Sequence, residues 1–379
     1  MLYISSVVGA WVVCEYMSYA RFRKRLGQSL APHSPPRGGV ACLSAFLLER
    51  DIDPTQFYAA NRKTVGILGG VEPTDAEITR AFEHTREFPG LQLWRQTVWY
   101  RWLVFKLLYR FLRTLGSVYL FLSGYRRSSY ATTDGTYVIW SRYVPGSRPV
   151  VVFPGMGLGA SPYIRVIRAI YGNDRTVHMV EVPNLGGVAW TSPTGGTLDH
   201  LCKIVRPYVV DADIFAHSIG TFHCACVINE SDGCKRTVTL IDPLCLPVPN
   251  LLDFISTVYL SIDRHYSRWK LLHPRATWIE WVAFHVLISR SLEVASTLHH
   301  GLSDLTRSIL KHPDTYLNTR FHVVAGDDDH LVIVDSICEY TARYPAAYNL
   351  IRHDGIHGQM CIPVIGTTLL DRIRVALET

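Results

Sequence analysis

Short apolar runs alternate with amphipathic helical stretches through the second part of the chain, and this alternation limits the fold more than any other feature. Seven runs predict strands, at residues 136–144, 148–155, 175–183, 211–218, 236–243, 319–326 and 346–354. Helical patterns lie between several of them, as at 161–172 and 197–209. Apolar runs with little polar alternation are typical of strands that are buried on both faces. The sequence therefore predicts an α/β fold, with a mostly parallel sheet flanked by helices.

This alternation stops after Pro243. Residues 244–316 are rich in Leu, Val and Trp and have a helical pattern without a strand signal. A helical insertion inside an α/β domain predicts a lid, a segment that closes over a binding site. Its tryptophans, Trp269, Trp278 and Trp281, suit a lid that contacts an acyl chain.

The first 25 residues predict attachment to a membrane. Residues 2–20 are mostly apolar, and the basic sequence RFRKR follows at 21–25. About 20 apolar residues span a bilayer, and a basic cluster after the run keeps the rest of the chain on the cytoplasmic face. Glu15 interrupts the run, so a membrane anchor, an interfacial helix and a buried core helix all remain open.

Residues 26–135 predict a linker followed by helices, the last of which is basic and amphipathic. The linker at 26–40 is rich in Pro, Gly and Ser. On a helical wheel of residues 93–122, four basic residues fall within about 60° of one another: Arg95, Lys106, Arg110 and Arg113. This pattern is typical of a helix in a membrane interface. A helix packed on the domain, with its arginines in water, is the alternative.

The composition of the chain indicates which classes of binding partner are expected. Apolar residues make up 48% of the chain and charged residues 18%, which fits a large core with membrane contact. The net charge of +6 comes without a basic patch that carries base-stacking aromatic residues, so no nucleic acid is expected. Nine scattered cysteines without a C-x-x-C pair predict reduced thiols and no zinc site. Neither the organelle nor a protein partner follows from the sequence.

The sequence FAHSIGTF at 215–222 places a serine at a corner between a predicted strand and a predicted helix. Ser218 has Ala216 two residues before it and Gly220 two residues after it. Small-x-Ser-x-small at such a corner is a nucleophile elbow, in which the turn is too sharp for larger neighbours. On this motif residues 136–379 resemble the α/β-hydrolase superfamily, although its usual pattern has Gly where this chain has Ala216.

The resemblance implies an acid after the next-to-last strand, commonly as Asp-x-apolar-Val after a glycine. Asp329 in VAGDDDHLV (324–332) fits that register. Asp327 and Asp328 remain alternatives, and Asp242 in LIDP, which follows an earlier strand, is a less favoured one. No metal site is expected from the three adjacent aspartates, because EF-hand spacing is absent.

The resemblance also implies a histidine in the loop after the last strand. His357 in HDGIHGQM (353–360) matches it, with His353 as the second choice. The resulting order, Ser, Asp, His, is the order of this fold. His217, next to the serine, is interpreted as structural, because adjacent residues on a strand face opposite sides.

An oxyanion hole is implied by the loop FPGMGLG at 153–159, which follows a predicted strand. Its glycines allow close backbone approach, although Pro154 stands where the superfamily often has histidine. By position, the backbone N–H groups of Met156 and Ile219 are expected to bind the oxyanion. A glycine-rich turn that only packs a helix on the sheet is the alternative.

The resemblance implies a serine hydrolase that cleaves carboxylic esters through an acyl-serine, with no cofactor. The hydrophobic N-terminus and the segment ISRSLEVASTLHHGL (288–302) are similar to membrane-associated hydrolases of fungi and protists. A lipid ester at a membrane surface is therefore the expected substrate of a lipase or esterase. An acyltransferase and a catalytically silent protein that binds lipid or acts as a scaffold remain alternatives. Ala216 and Pro154 give the silent protein some weight, whereas Ser218, Asp329 and His357 in the expected order argue against it.

Overall fold

A computed structural model describes residues 99–133, 135–157, 159–183, 198–230, 236–247, 305–329, 332, 334–361 and 367–378. The predicted anchor (1–25), the linker (26–40) and most of the lid (244–316) lie outside these residues. No helix in the described ranges is both long enough and apolar enough to cross a bilayer.

An eight-stranded sheet forms the centre of the described part. Its strands are β1 (Arg126–Thr132), β2 (Gly135–Arg142), β3 (Val150–Phe153), β4 (Val177–Glu181), β5 (Asp213–His217), β6 (Arg236–Ile241), β7 (Thr319–Gly326) and β8 (Tyr348–His353). The order across the sheet is β1-β2-β4-β3-β5-β6-β7-β8. The β1–β2 and β2–β4 pairs are antiparallel, and the other neighbours are parallel. The predicted mostly parallel sheet is confirmed.

The strand β1 lies before residue 136 and was not predicted. Its sequence, RRSSYAT, is mostly exposed and carries no apolar run. It pairs along its whole length with β2, from Arg126 opposite Ser141 to Thr132 opposite Gly135. An edge strand of this kind is held by backbone pairing with its neighbour, and a search for apolar runs does not detect it.

Helices cover both faces of the sheet. They are α1 (Trp99–Leu122), α2 (Tyr163–Tyr171), α3 (Leu198–Val209), α4 (Gly220–Asn229), α5 (Leu305–Ser308), α6 (Val334–Arg343) and α7 (Thr367–Glu378). Successive residues of β3 show why both faces are apolar: Val151 joins one core cluster, and Val150 and Val152 join the other. Because the strands are buried on both faces, polar residues are found at the ends of the strands. The candidate active site lies at these ends.

The helix α1 packs on the domain with Arg113 turned inward. Arg113 forms an ion pair with Glu181, and Oε1 of Glu181 accepts a hydrogen bond from the backbone N–H of Ala160 at 2.8 Å. Gly116 lies so close to Ser161 that a Cβ atom would come within 2.4 Å of its Oγ. The prediction that Arg113 belongs to an exposed basic stripe is therefore wrong. Toward the end of α1 the exposed side chains are mostly apolar.

Candidate active site

Ser218 sits on a strained corner between β5 and α4. Its φ angle is +52°, in the left-handed region that few residues with a side chain adopt. The β3 loop passes so close to α4 that a Cβ atom on Gly220 would lie 2.2 Å from the carbonyl oxygen of Phe153. Ala216 is fully buried. The two small neighbours are thus needed by the packing around the corner, as an elbow requires.

The structure brings together the three residues that the sequence nominates. Nε2 of His357 lies 2.8 Å from Oγ of Ser218, and Nδ1 of His357 lies 2.8 Å from Oδ2 of Asp329. The other carboxylate oxygen, Oδ1 of Asp329, accepts a hydrogen bond from the N–H of Val332 at 3.0 Å. In the neutral ring, Nδ1 carries the proton because it faces a carboxylate, which leaves Nε2 to accept the hydroxyl proton of Ser218.

The rival residues do not reach the serine. Asp327 is exposed and pairs with Arg352 at 2.7 Å, and Asp328 is exposed as well. His353 is buried, and neither of its ring nitrogens has a hydrogen-bond partner among the described residues. A turn after β7, in which the N–H of Asp329 bonds to the carbonyl of Gly326 at 2.9 Å, directs the third aspartate inward.

The two N–H groups expected to bind an oxyanion belong to the loop after β3 and to the elbow. Met156 is partly exposed in the loop after β3, and Ile219 is the first residue before α4. No described residue accepts a hydrogen bond from either N–H. Backbone donors without a partner among the described residues can bind a negatively charged oxygen, which is the requirement for an oxyanion hole.

His357 has a strongly shifted pKa. Burial alone would lower it, but the charge and hydrogen bond of Asp329, with the charge of Asp242, outweigh burial and raise the pKa of His357 to about 9. Only the neutral ring can take the proton of Ser218, so the raised pKa sets the pH range in which His357 acts as a base.

A second carboxylate lies behind the histidine. Oδ2 of Asp242 accepts a hydrogen bond from the N–H of Gly358 at 2.7 Å and lies 3.9 Å from Nδ1 of His357. The same oxygen is 3.5 Å from Nε2 of His217. Asp242, a less favoured acid in the sequence, is thus adjacent to the site although Asp329 holds the histidine.

Tyr163 is a site residue that sequence reasoning missed. Its hydroxyl accepts a hydrogen bond from the N–H of Gly155 at 2.7 Å and lies 2.6 Å from Nδ1 of His217. Tyr163 stands at the start of α2 among apolar residues, and nothing in SPYIRVIRAIYG distinguishes it from a core tyrosine.

These side chains form a hydrogen-bond network rather than a metal site. Each of His217, Asp242 and His357 has one nitrogen or oxygen atom that could ligate a metal ion, and these three atoms lie within 4.8 Å of one another. Both ring nitrogens of His357, however, already bond to Ser218 and Asp329. A second group in the described ranges, Cys202, Cys226 and Glu230, has its carboxylate paired with Arg307.

Comparison with known proteins reveals similarity in structure only. No protein-family model matches the sequence, and a search of curated proteins gives no match. A crystal structure of a membrane phospholipase A, a bacterial virulence factor, superposes with a TM-score of 0.51 at 12% identity, over 71% of this chain and 91% of that one. A lipase candidate from Acinetobacter baumannii AYE gives a TM-score of 0.50 at 12% identity, over 70% of this chain and 95% of that one.

Proposed function

We propose that this chain, which has the α/β-hydrolase fold, is a serine hydrolase that cleaves carboxylic esters of membrane lipids. The observation that carries the proposal is the continuous line of hydrogen bonds from Ser218 through His357 to Asp329, at 2.8 Å and 2.8 Å. A nucleophile, a base and a group that orients the base, in this order and at these distances, are suited to acyl transfer.

Each residue has a defined step in this reaction. Nε2 of His357 takes the hydroxyl proton as Oγ of Ser218 attacks the ester carbonyl, and Asp329 stabilises the imidazolium that results. The N–H groups of Met156 and Ile219 bind the oxyanion, and each donor of this kind contributes about 3 kcal/mol to transition-state binding. His357 returns the proton to the leaving alcohol, and water then releases the acyl group from Ser218.

A row of apolar side chains on α1 supports a membrane substrate. This row, the α1 stripe, consists of residues that are about half exposed or more: Phe111, Leu115, Val118, Tyr119 and Leu122. Spacings of three and four residues place them on one face of the helix. An exposed apolar stripe of this length is typical of contact with a membrane or a partner.

The position of the α1 stripe supports the same proposal. Arg113 joins α1 to Glu181, and Glu181 binds the N–H of Ala160 at 2.8 Å, in the loop that also carries Met156. The helix that carries the stripe is therefore attached, through Arg113 and Glu181, to the loop after β3. The basic sequence at 21–25, which lies outside the described residues, supports attachment on the cytoplasmic face.

Hydrolysis of esters in vesicles and in solution tests the proposed function. We expect the full-length protein to release fatty acid from phosphatidylcholine vesicles that contain diacylglycerol, and to cleave a soluble short-chain p-nitrophenyl ester. Failure on both substrates, together with no labelling by a fluorophosphonate, would contradict hydrolase activity and favour a silent lipid-binding protein. Acyl transfer would be recognised by a new ester formed with an added alcohol.

Substitution of Val118 by glutamate should separate membrane contact from catalysis. Val118 is 49% exposed on α1, and a carboxylate there makes insertion into the bilayer unfavourable. We expect hydrolysis of vesicle lipid to fall about tenfold, with cleavage of the soluble ester unchanged. The matched control is Val375→Glu on α7, where the valine is 55% exposed. An equal loss in both variants would argue against a role for the α1 stripe.

Activity should increase from neutral to alkaline pH. Only neutral His357 accepts the serine proton, and its pKa of about 9 leaves most of the ring protonated at pH 7. We expect the rate of Ser218 labelling to increase about tenfold per pH unit and to level off above pH 9. Circular dichroism at each pH checks that the protein remains folded. A midpoint near the ordinary histidine value would show that the carboxylates do not control His357.

A further inference from the structure

Asp242 combines three unfavourable features in one residue. Its φ angle is +48°, in the left-handed region. Its carboxylate is buried, with the residue only 1% exposed, and Oδ1 has no hydrogen-bond partner among the described residues. A strained backbone, a buried charge and an unpaired buried oxygen each cost free energy. Costs of this kind concentrate at functional sites.

We infer that Asp242, His217 and Tyr163 form a positioning chain that holds three loops of the active site in register. Asp242 binds the N–H of Gly358, directly after His357, at 2.7 Å. Asp242 also faces Nε2 of His217 at 3.5 Å, and Nδ1 of His217 bonds to the Tyr163 hydroxyl at 2.6 Å. The inference rests on the proposed function, since these loops carry the base, the nucleophile and an oxyanion donor.

The last link of the positioning chain reaches the loop after β3, which carries Met156 and is here called the oxyanion loop. The Tyr163 oxygen accepts a hydrogen bond from the N–H of Gly155 at 2.7 Å, and Gly155 directly precedes Met156. The positioning chain therefore runs from the loop after β8 that carries His357, called the histidine loop, past the elbow, to the backbone that presents the Met156 N–H. None of its three side chains is hydrogen-bonded to Oγ of Ser218, whose bond is to His357, so they act through other groups.

The protonation states of Tyr163 and His217 agree with the contacts that these residues make in the positioning chain. Burial raises the pKa of Tyr163, so the phenol keeps its proton and donates it to Nδ1 of His217. Burial also lowers the pKa of His217 despite the nearby Asp242, so the ring is neutral at pH 7. Because Nδ1 accepts, the proton of neutral His217 is on Nε2, the atom that faces Asp242. This N–H forms no hydrogen bond among the described residues, so the link from His217 to Asp242, at 3.5 Å, is an electrostatic attraction.

The ring of His217 also fixes the spacing between two loops. A Cβ atom on Gly155 would lie 2.7 Å from Nδ1 of His217, and one on Gly358 would lie 3.4 Å from the same ring. The centre of the His217 ring is 5.3 Å from that of His357. With backbone packed on both sides, a shift of His217 displaces the oxyanion loop or the histidine loop. Small displacements of this kind strongly reduce catalysis.

Asp242 has a second effect, through its charge on His357. The groups that face the His357 ring are Ser218, neutral His217 and the two carboxylates, Asp329 at 2.8 Å and Asp242 at 3.9 Å. In Asp242→Asn the amide oxygen can still accept the Gly358 N–H, while the charge is lost. The pKa of His357 should therefore fall, by about one to three units.

Histidine NMR measures this pKa without any turnover. In protein with ¹⁵N-labelled histidine, the His357 signal is assigned by its loss in His357→Gln and is titrated in wild type, Asp242→Asn and the exposed-residue control Asp335→Asn. We expect a lower His357 pKa in Asp242→Asn alone. An unchanged pKa in folded Asp242→Asn would overturn the charge effect. If wild type is not labelled by a fluorophosphonate, the proposed function fails, whereas the titration still tests Asp242.

A second variant tests the positioning chain if Asp242→Asn does not fold. Tyr163→Phe removes the hydroxyl between Gly155 and His217, and we expect kcat for the soluble ester to fall ten- to a hundredfold with KM nearly unchanged. The control is Tyr171→Phe, at the other end of α2, which loses a buried hydroxyl that faces Thr239 at 3.3 Å. Equal activity in Tyr163→Phe and Tyr171→Phe would overturn the positioning chain.

Discussion

Replacement of Ser218 by alanine is expected to lower kcat for any ester substrate by about a millionfold, to the level left by binding and the oxyanion hole. The hydroxyl is the attacking group, and no other described side chain holds an oxygen at hydrogen-bond distance from Nε2 of His357. Alanine keeps the small volume that this corner requires, so the fold should be retained. The measurements are ester turnover and fluorophosphonate labelling of wild type and Ser218→Ala.

A buried serine outside the site provides the control for this experiment. Ser308 is 4% exposed in α5, and Ser308→Ala should label like wild type. Labelling that persists in Ser218→Ala would mean that the reactive group lies elsewhere. Loss of labelling in both variants would point to unfolding, which circular dichroism detects.

The second large effect is expected at Asp329. In Asp329→Asn the amide can donate to Nδ1 of His357, which stabilises the tautomer that has its proton on Nε2 and cannot accept one from Ser218. We expect kcat to fall about ten-thousandfold, as for the equivalent change in a serine–histidine–aspartate triad. Measurement of kcat at several pH values would separate this loss from a simple change in the His357 pKa.

The neighbouring aspartate gives a matched control for this prediction. Asp328 is exposed one residue earlier in the same turn, and Asp328→Asn should stay within about twofold of wild type. If Asp328→Asn were the inactive variant, the inward orientation of Asp329 would be wrong. If Asp329→Asn kept most of its activity, Asp242 at 3.9 Å would be the group that orients His357.

The fold could be predicted from the sequence because its signal is repeated along the chain. Each of the seven apolar runs is a strand, and the small residues around Ser218 specify the corner without knowledge of any contact. β1 could not be found in this way, since its residues are polar and it is held only by pairing with β2.

The candidate site could be predicted only in part from the sequence, because the rest depends on contacts that form when the chain folds. The sequence orders Ser218, Asp329 and His357 but does not show which aspartate of DDD turns inward; that depends on the turn closed by Gly326. Tyr163 carries no local signal, since its role arises from contact with His217, 54 positions away. The inward turn of Arg113 depends likewise on Glu181, a partner 68 positions away.

The left-handed corners at Ser218 and Asp242 have a consequence for protein engineering. Ser218 donates its backbone N–H to the carbonyl of Ile241 at 3.0 Å, and Asp242 donates its own to Val324 at 2.9 Å. Each corner is thus held by the strand that follows it in the sheet. A short peptide copied from FAHSIGTF would carry the nucleophile but neither restraint. Transplantation of this site onto another scaffold would therefore require three adjacent parallel strands, β5, β6 and β7, as one unit.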